Sequence, residues 1–481
     1  MLILTEAWRI ALDIREGVLD PLEHLYKVYE RILRWEHKVN AYVTLDNLEL
    51  AEEKAREIAE KVKKGDRLGR LAGLLVAVKD NISTVDFSTT AASKILTFYV
   101  PPFDATVVRK LREEDAIIIG KTNLDEFAMG STTELSAFGP TRNPWDLERT
   151  PGGSSGGSAA ALAYGGCDLA LGTDTGGSAR LPATYTATFG LKPTYGLVSR
   201  YGVIPYGNSL EQVSPMARSS RDLALLLETI SGWDPLDSTT LKRSVKLLTE
   251  PLKVEKLKIC AVKELWEGAD EPLVKSYWNL LKRLESEGAT IEERSEPSLA
   301  KALPAYYTIA FAEAASNLAR YTGVLYPLKT EKNTWESFIS SVRSRGFGPE
   351  IKRRILMGVY VLSEGYREEH YVAATKLRRF LRDSLLKLTS ECVIASQVSP
   401  ILPPKLGERI EDPLKLYSMD IYTVIANLSG LPALAQPIDF YQGLPIGIQW
   451  IGGFLEDFKL LSLGEFVEEL TKIRGVIASE G

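Results

Sequence analysis

Two glycine-rich turns constrain this chain more than any other feature. They are Pro151-Gly152-Gly153-Ser154-Ser155-Gly156-Gly157-Ser158 and Gly172-Thr173-Asp174-Thr175-Gly176-Gly177-Ser178-Ala179-Arg180-Leu181-Pro182, and they flank Ala159 to Leu171. Glycine lets backbone N–H groups point into a cavity with no Cβ in the way. Such groups hold a phosphate or a developing oxyanion. The flanked residues are helix-and-strand material, which a flexible linker does not contain. A P-loop needs lysine after its final glycine, and here Ser158 follows Gly157. Asp174-Thr175-Gly176 is shared with aspartic proteases, but a single copy lacks the second carboxylate of that site.

Gly152 to Gly156 also matches the G-x-S-x-G elbow of α/β-hydrolases, which requires a downstream Asp and then His. The chain has only His24, His37 and His370, and only His370 lies downstream, within a helical stretch. A serine nucleophile here therefore needs another base, and lysine is the natural substitute once it is deprotonated. A free lysine titrates near ~10.4, and burial lowers this by units. Lys79 directly follows the apolar run Leu74 to Val78, where partial desolvation is expected. The other reading of Lys79, a residue that merely ends a strand at the surface, is the natural one without the Gly-Ser segment.

The rest of the chain reads as alternating elements. Residues 5 to 63 look like amphipathic helices, with Pro21 after Asp20 suiting a helix start. Strands are expected at Leu74 to Lys79, Ala116 to Ile119, Asp168 to Leu171, Leu257 to Val262, Cys392 to Ala395 and near Ile446 to Ile451. Helices are expected at Asp104 to Glu113, Ser219 to Ile230 and Pro272 to Glu287. Continuous apolar strands alternating with helices predict an α/β fold, its sheet covered by helices on both faces. The expected organisation is one interrupted domain over 1–481: N-terminal helices at 1–65, a core at 66–296, a helical lid at 297–389, and a return to the core at 390–481.

Composition excludes several classes. The formal net charge of -5 disfavours a stand-alone RNA binder, which needs a clustered basic face. No run approaches the ~20 apolar residues of a membrane span, and the N-terminus lacks the basic region of a signal peptide. Cys167, Cys260 and Cys392 are odd in number and widely spaced. They suggest neither a disulfide framework nor a zinc site, and fit a reducing cytoplasm.

The segment from Gly152 to Pro182 resembles the signature of the amidase signature family, and Ala77-Val78-Lys79-Asp80 resembles its lysine motif. The resemblance implies a Ser-cisSer-Lys triad, with Ser178 as nucleophile, Ser154 as bridging serine after a cis peptide, and Lys79 as base. Ser178 lies 24 residues after Ser154, the family's usual interval. It further implies an oxyanion hole of the Thr175, Gly176, Gly177 and Ser178 N–H groups. Ser155 and Asp174 would support the turns, Arg180 would buttress them, and the fold would be a large mixed sheet.

Beyond the signature, the chain is similar to the A subunits of glutamyl- and aspartyl-tRNA amidotransferases. Asn123 to Ser131, Gly190 to Gly196, Ser199 to Gly202, Asp234 to Thr239, Lys352 to Ile355 and Asp412 to Leu414 carry this likeness. It implies glutamine as substrate, held by Tyr306, Arg354 and Asp420. Tyr307 could replace Tyr306, Arg353 could exchange with Arg354, and Asp420 could simply cap a following helix. It also implies B and C subunits as partners, with misacylated tRNA bound mainly through B. ATP and Mg would be used by the partner subunit, with no cofactor or metal in this chain. Ala179, Ser214 and Thr322 to Tyr326 depart from the usual pattern.

Overall fold

The structure, a computed structural model, describes residues 2–45, 48–243 and 252–479. Met1, residues 46–47 within the stretch read as helical, 244–251 in the expected core and 480–481 at the chain's end lie outside the described residues.

The strands in chain order are β1 (Leu2–Ile3), β2 (Tyr42–Leu45), β3 (Leu75–Lys79), β4 (Ile117–Thr122), β5 (Leu169–Asp174), β6 (Phe189–Lys192) and β7 (Gln212–Ala217). They continue with β8 (Lys258–Val262), β9 (Thr290–Arg294), β10 (Val393–Ser396), β11 (Ala433–Tyr441), β12 (Leu444–Ile451) and β13 (Val476–Ile477). β1 and β13 pair by themselves, and the other eleven form one sheet in the order β2-β4-β3-β5-β7-β6-β11-β12-β10-β8-β9. β3 runs parallel to β4 and β5, and β8 runs parallel to β9 and β10, while the remaining neighbours are antiparallel. The sheet is therefore mixed, as expected.

Every residue of β3, β4, β5, β6, β7 and β12 is buried. A strand buried on both faces needs cover on both, which is why Leu75-Val76-Ala77-Val78 is unbroken apolar sequence. Helix ends follow local chemistry. Asp20 accepts hydrogen bonds from Leu22 and Glu23 N–H before helix Pro21–Val39, and Asn40 closes it at φ 56°. Asp222, in helix Ser220–Ile230, takes the Ala7 and Trp8 N–H groups and ties helix Ala7–Arg15 to its own helix.

The expected strands and helices all form, with shifted boundaries. Residues 5 to 63 are not helical throughout, because β2 interrupts them as an edge strand of the sheet. β6, β7, β9 and β11 escaped the sequence reading. β7 and β11 contain Pro215 and Pro437, and proline argues against an interior strand when read locally. The 297–389 segment contains helices Ala302–Leu318, Trp335–Gly346, Pro349–Leu362 and Ala373–Glu391, the last running past the expected boundary. Their apolar faces share a second core with Leu124, Phe127, Met129, Val424 and Leu428.

The reading of the cysteines is corrected. Cys260 and Cys392 form a disulfide, with Cα atoms 5.8 Å apart, and Cys167 is free and buried. The two partners are 132 residues apart in sequence, and only the parallel pairing of β8 with β10 brings them together.

Candidate active site

Lys79 ends β3 and Asp174 ends β5. The two strands pair in parallel, Val78 opposite Leu171, so their carboxyl ends open side by side. Ligand sites in α/β sheets form at such ends. Ser154 and Ser155 lie just before helix Gly156–Ala163, whose residues Gly-Gly-Ser-Ala-Ala-Ala-Leu-Ala are all buried. Small side chains there let the helix press close to the sheet and deliver both hydroxyls to the strand ends.

Lys79 Nζ contacts Ser154 Oγ at 2.8 Å, Ser155 Oγ at 2.8 Å and Thr173 Oγ1 at 2.9 Å. Lys79 and Ser154 are fully buried, and Ser178 is 8% exposed. Burial pushes the Lys79 ammonium down from 10.5 to about 7, while Asp125, Asp174 and Glu211 pull the other way from a distance. A large fraction is thus uncharged at neutral pH and can accept a proton from a hydroxyl. The surface-strand reading of Lys79 does not hold. Buried Lys121 makes an instructive contrast, since it pairs with Asp80 at 3.6 Å and donates to the carbonyl of Ile82.

The two glycine-rich turns are stitched together by the Ser155 N–H, which donates to the Ser178 carbonyl at 2.9 Å. The Gly153–Ser154 peptide is cis, as the resemblance implies. Asp174 organises the second turn. Its carboxylate accepts the Gly177 N–H at 2.9 Å and the Ala179 N–H at 3.3 Å, and pairs with Arg180 at 2.9 and 3.0 Å. Burial alone would raise the Asp174 carboxyl, but the charge and hydrogen bonds of Arg180, with Asn427, hold it well below the usual carboxylate range. Arg180 also donates to the Thr423 carbonyl, Gln449 and Asn427, which makes it a buttress.

The expected oxyanion hole needs one correction. The Gly177 N–H is occupied by Asp174, whereas those of Thr175, Gly176 and Ser178 have no protein acceptor among the described residues. Gly177 serves a different end. Its φ of +126° and its approach to Thr423 leave no room for a Cβ, which would sit 2.4 Å from Thr423 Oγ1. A Cβ on Gly176 would meet the Tyr306 hydroxyl at 2.4 Å, so Tyr306 abuts the turn.

Tyr306, Arg354 and Asp420 are all buried, and Tyr306 touches this turn. The Tyr306 hydroxyl bonds that of Tyr206 at 2.9 Å. Asp420 does not cap a helix with its side chain. It accepts from Ser131 Oγ at 2.9 Å and from the Tyr307 hydroxyl at 2.7 Å. Burial lifts its carboxyl to about 6, against the hydrogen bonds of Tyr307 and Ser131 and the charge of Arg354. The alternatives left open by the sequence separate here. Arg354 is 3% exposed and Arg353 is 42% exposed at the side chain, so Arg354 is the inward one. Tyr307 belongs to the same buried cluster, since its ring lies 5.6 Å from the Arg354 guanidinium and its hydroxyl donates to Asp420.

Sequence reasoning missed Glu350, Tyr417, Tyr206 and Asn427. Glu350 had a signal, since it lies one helical turn before Arg354. Asn427 and Tyr206 had none, because their partners are remote in sequence.

The family model described as Amidase matches residues 23–461. The chain belongs to the amidase family. Among curated relatives, this amidase is 51% identical to the A subunit of the Sulfurisphaera tokodaii glutamyl-tRNA(Gln) amidotransferase, covering 97% of this chain and 98% of that one. It is 49% identical to the corresponding polypeptide of Archaeoglobus fulgidus, covering 94% and 96%. Among solved structures, the A subunit of the Thermotoga maritima glutamyl-tRNA(Gln) amidotransferase superposes with a TM-score of 0.82 at 38% identity, covering 99% of this chain and 98% of that one. Lys79, Ser154, Ser178, Tyr306, Arg354 and Asp420 all fall inside the amidase match. Among the described residues of this amidase, no His, Cys, Asp and Glu cluster is arranged to hold a metal, and no helix is long and apolar enough to cross a membrane.

Proposed function

We propose that this chain is the glutamine-hydrolysing A subunit of a tRNA-dependent amidotransferase. Ser178 Oγ attacks the side-chain amide carbon, and its proton passes through Ser154 to neutral Lys79. The Thr175, Gly176 and Ser178 N–H groups stabilise the oxyanion. The C–N bond breaks as Lys79 returns the proton through Ser154, ammonia leaves, and an acyl ester on Ser178 remains. Water, deprotonated along the same relay, hydrolyses the ester to glutamate.

The observation that carries glutamine, rather than any amide, is that a buried arginine and a buried aspartate both touch Tyr307, next to Tyr306 at the turn. Arg354 suits an α-carboxylate and Asp420 an α-ammonium, and Tyr306 abuts the turn that carries the oxyanion donors. In this reading the 297–389 segment serves as a lid and the whole chain works as one cytoplasmic unit. Ammonia passes to a B subunit, which uses ATP and Mg to activate the misacylated tRNA, and a C subunit clamps the pair. The disulfide is compatible with this location, since intracellular proteins of hyperthermophiles keep such bonds.

The test is co-expression with B and C subunits, followed by glutaminase and transamidation assays with Glu-tRNA(Gln) and Asp-tRNA(Asn). Glutamine-dependent, ATP-dependent amidation of either tRNA, lost in Ser178→Ala, is the expected result. Hydrolysis of simple aliphatic or aryl amides with no turnover of glutamine would instead make this a stand-alone amidase.

A further inference from the structure

Glu350 and Arg354 lie one turn apart on helix Pro349–Leu362, and both are buried, at 5% and 3% side-chain exposure. An exposed pair at this spacing contributes little, because water screens it. Here Glu350 Oε1 accepts the Arg354 Nε–H at 2.8 Å and also the Tyr417 hydroxyl at 2.7 Å. Its second oxygen accepts from Arg353 Nη1. The Tyr417 and Tyr307 rings lie 5.3 and 5.6 Å from the guanidinium and, with centroids 4.3 Å apart, pack together on one side of it. The guanidinium is thus held along its Nε edge, and Nη1 and Nη2 of Arg354 have no hydrogen-bond acceptor among the described residues.

We propose that Glu350 is a positioning residue for substrate. By taking the Nε–H, it fixes the plane of Arg354 so that Nη1 and Nη2 present a free fork to the α-carboxylate of the amide substrate. Two cations share the single Glu350 carboxylate, so Glu350 by itself does not neutralise the pair of arginines. Burial opposes a charged guanidinium, and the adjoining carboxylate outweighs that cost, keeping Arg354 firmly protonated. The proposal rests on the glutaminase reading above.

The test is steady-state glutamine hydrolysis by the assembled complex for wild type, E350Q, R354A, the E350Q/R354A double variant and Y417F. Glu350→Gln keeps the shape and removes the charge. Its KM should rise about tenfold with kcat within about threefold, the scale of one charge-assisted hydrogen bond. Because Glu350 acts through Arg354, adding E350Q to R354A should cause no further loss of kcat/KM, a non-additivity that a general packing role would not produce. Tyr417→Phe, which removes only a hydroxyl, should raise KM by a smaller factor, and it serves as the second variant if E350Q does not fold. A wild-type KM in E350Q, an equal fall in kcat, or additive losses in the double variant would overturn the positioning role while leaving the glutaminase reading intact. No glutamine turnover by the wild-type complex, or an unchanged KM in R354A, would overturn both.

Discussion

The Lys79 amine and the Ser154 hydroxyl stand 2.8 Å apart in a fully buried site, and no carboxylate pairs with the amine among the described residues. Hydroxyls surround this amine, whereas the buried amine of Lys121 meets Asp80. That environment favours the uncharged form, in which the amine can accept a proton.

The rate of amide hydrolysis should therefore follow Lys79. Its kcat should rise with pH through about 7 and level off above it, and Lys79→Met should lower kcat by ~10³ and abolish this dependence. The stability consequence has a defined sign. Between about 7 and 10.5 the unfolded chain holds a proton on Lys79 that the folded chain lacks. This group's contribution therefore rises with pH across that window, and its unfavourable part is complete below it. Urea melts at pH 7, 8, 9 and 10 should show a steeper rise for wild type than for Lys79→Met, by about one proton.

Adjacent arginines should differ sharply. Arg354→Ala should raise the KM for glutamine ~100-fold, since it removes a buried bidentate donor. Arg353→Ala, at an outward-facing residue, should change KM by less than about threefold. Equal effects in steady-state assays would remove the assignment of the inward arginine to the substrate.

Asp420 supplies a second pH dependence, this time in KM. Its carboxyl is lifted from 3.8 to about 6, so below about 6 it is protonated and cannot meet an ammonium. The KM for glutamine should climb as pH falls through this value, separately from the kcat limb set by Lys79. Asp420→Asn should show a high KM that is flat over the same range. A wild-type KM constant from pH 5 to 8 would count against the ammonium contact.

The disulfide makes a prediction independent of catalysis. Thiol titration of the denatured, unreduced chain should find one thiol, that of Cys167. Replacing both Cys260 and Cys392 with serine should cost about 2–5 kcal/mol of stability, because the bond closes a loop of 132 residues in the unfolded chain. A titre of three thiols would show that the pair is not joined.

Much of the chemistry was already legible in the chain. The glycine-serine turns, the scarcity of histidine and the apolar run before Lys79 led to the candidate base, the long signature led to both candidate serines, and the likeness beyond the signature led to Tyr306, Arg354 and Asp420. These signals are local, because a turn that exposes N–H groups or a strand that buries a lysine needs particular residues at consecutive positions. The α/β class was legible for the same reason.

What only the tertiary structure decided involves partners far apart in sequence. β7 and β11 looked unlike strands until their neighbours could be seen, since a proline can lie where a ladder bond is not required. The disulfide depended on β8 meeting β10. The choice of Arg354 over Arg353 depended on which side of one helix is buried. The capture of the Gly177 N–H by Asp174 depended on a three-dimensional turn. Sequence spacing carries covalent and helical geometry, but burial and hydrogen-bond direction are set by what the rest of the chain places alongside.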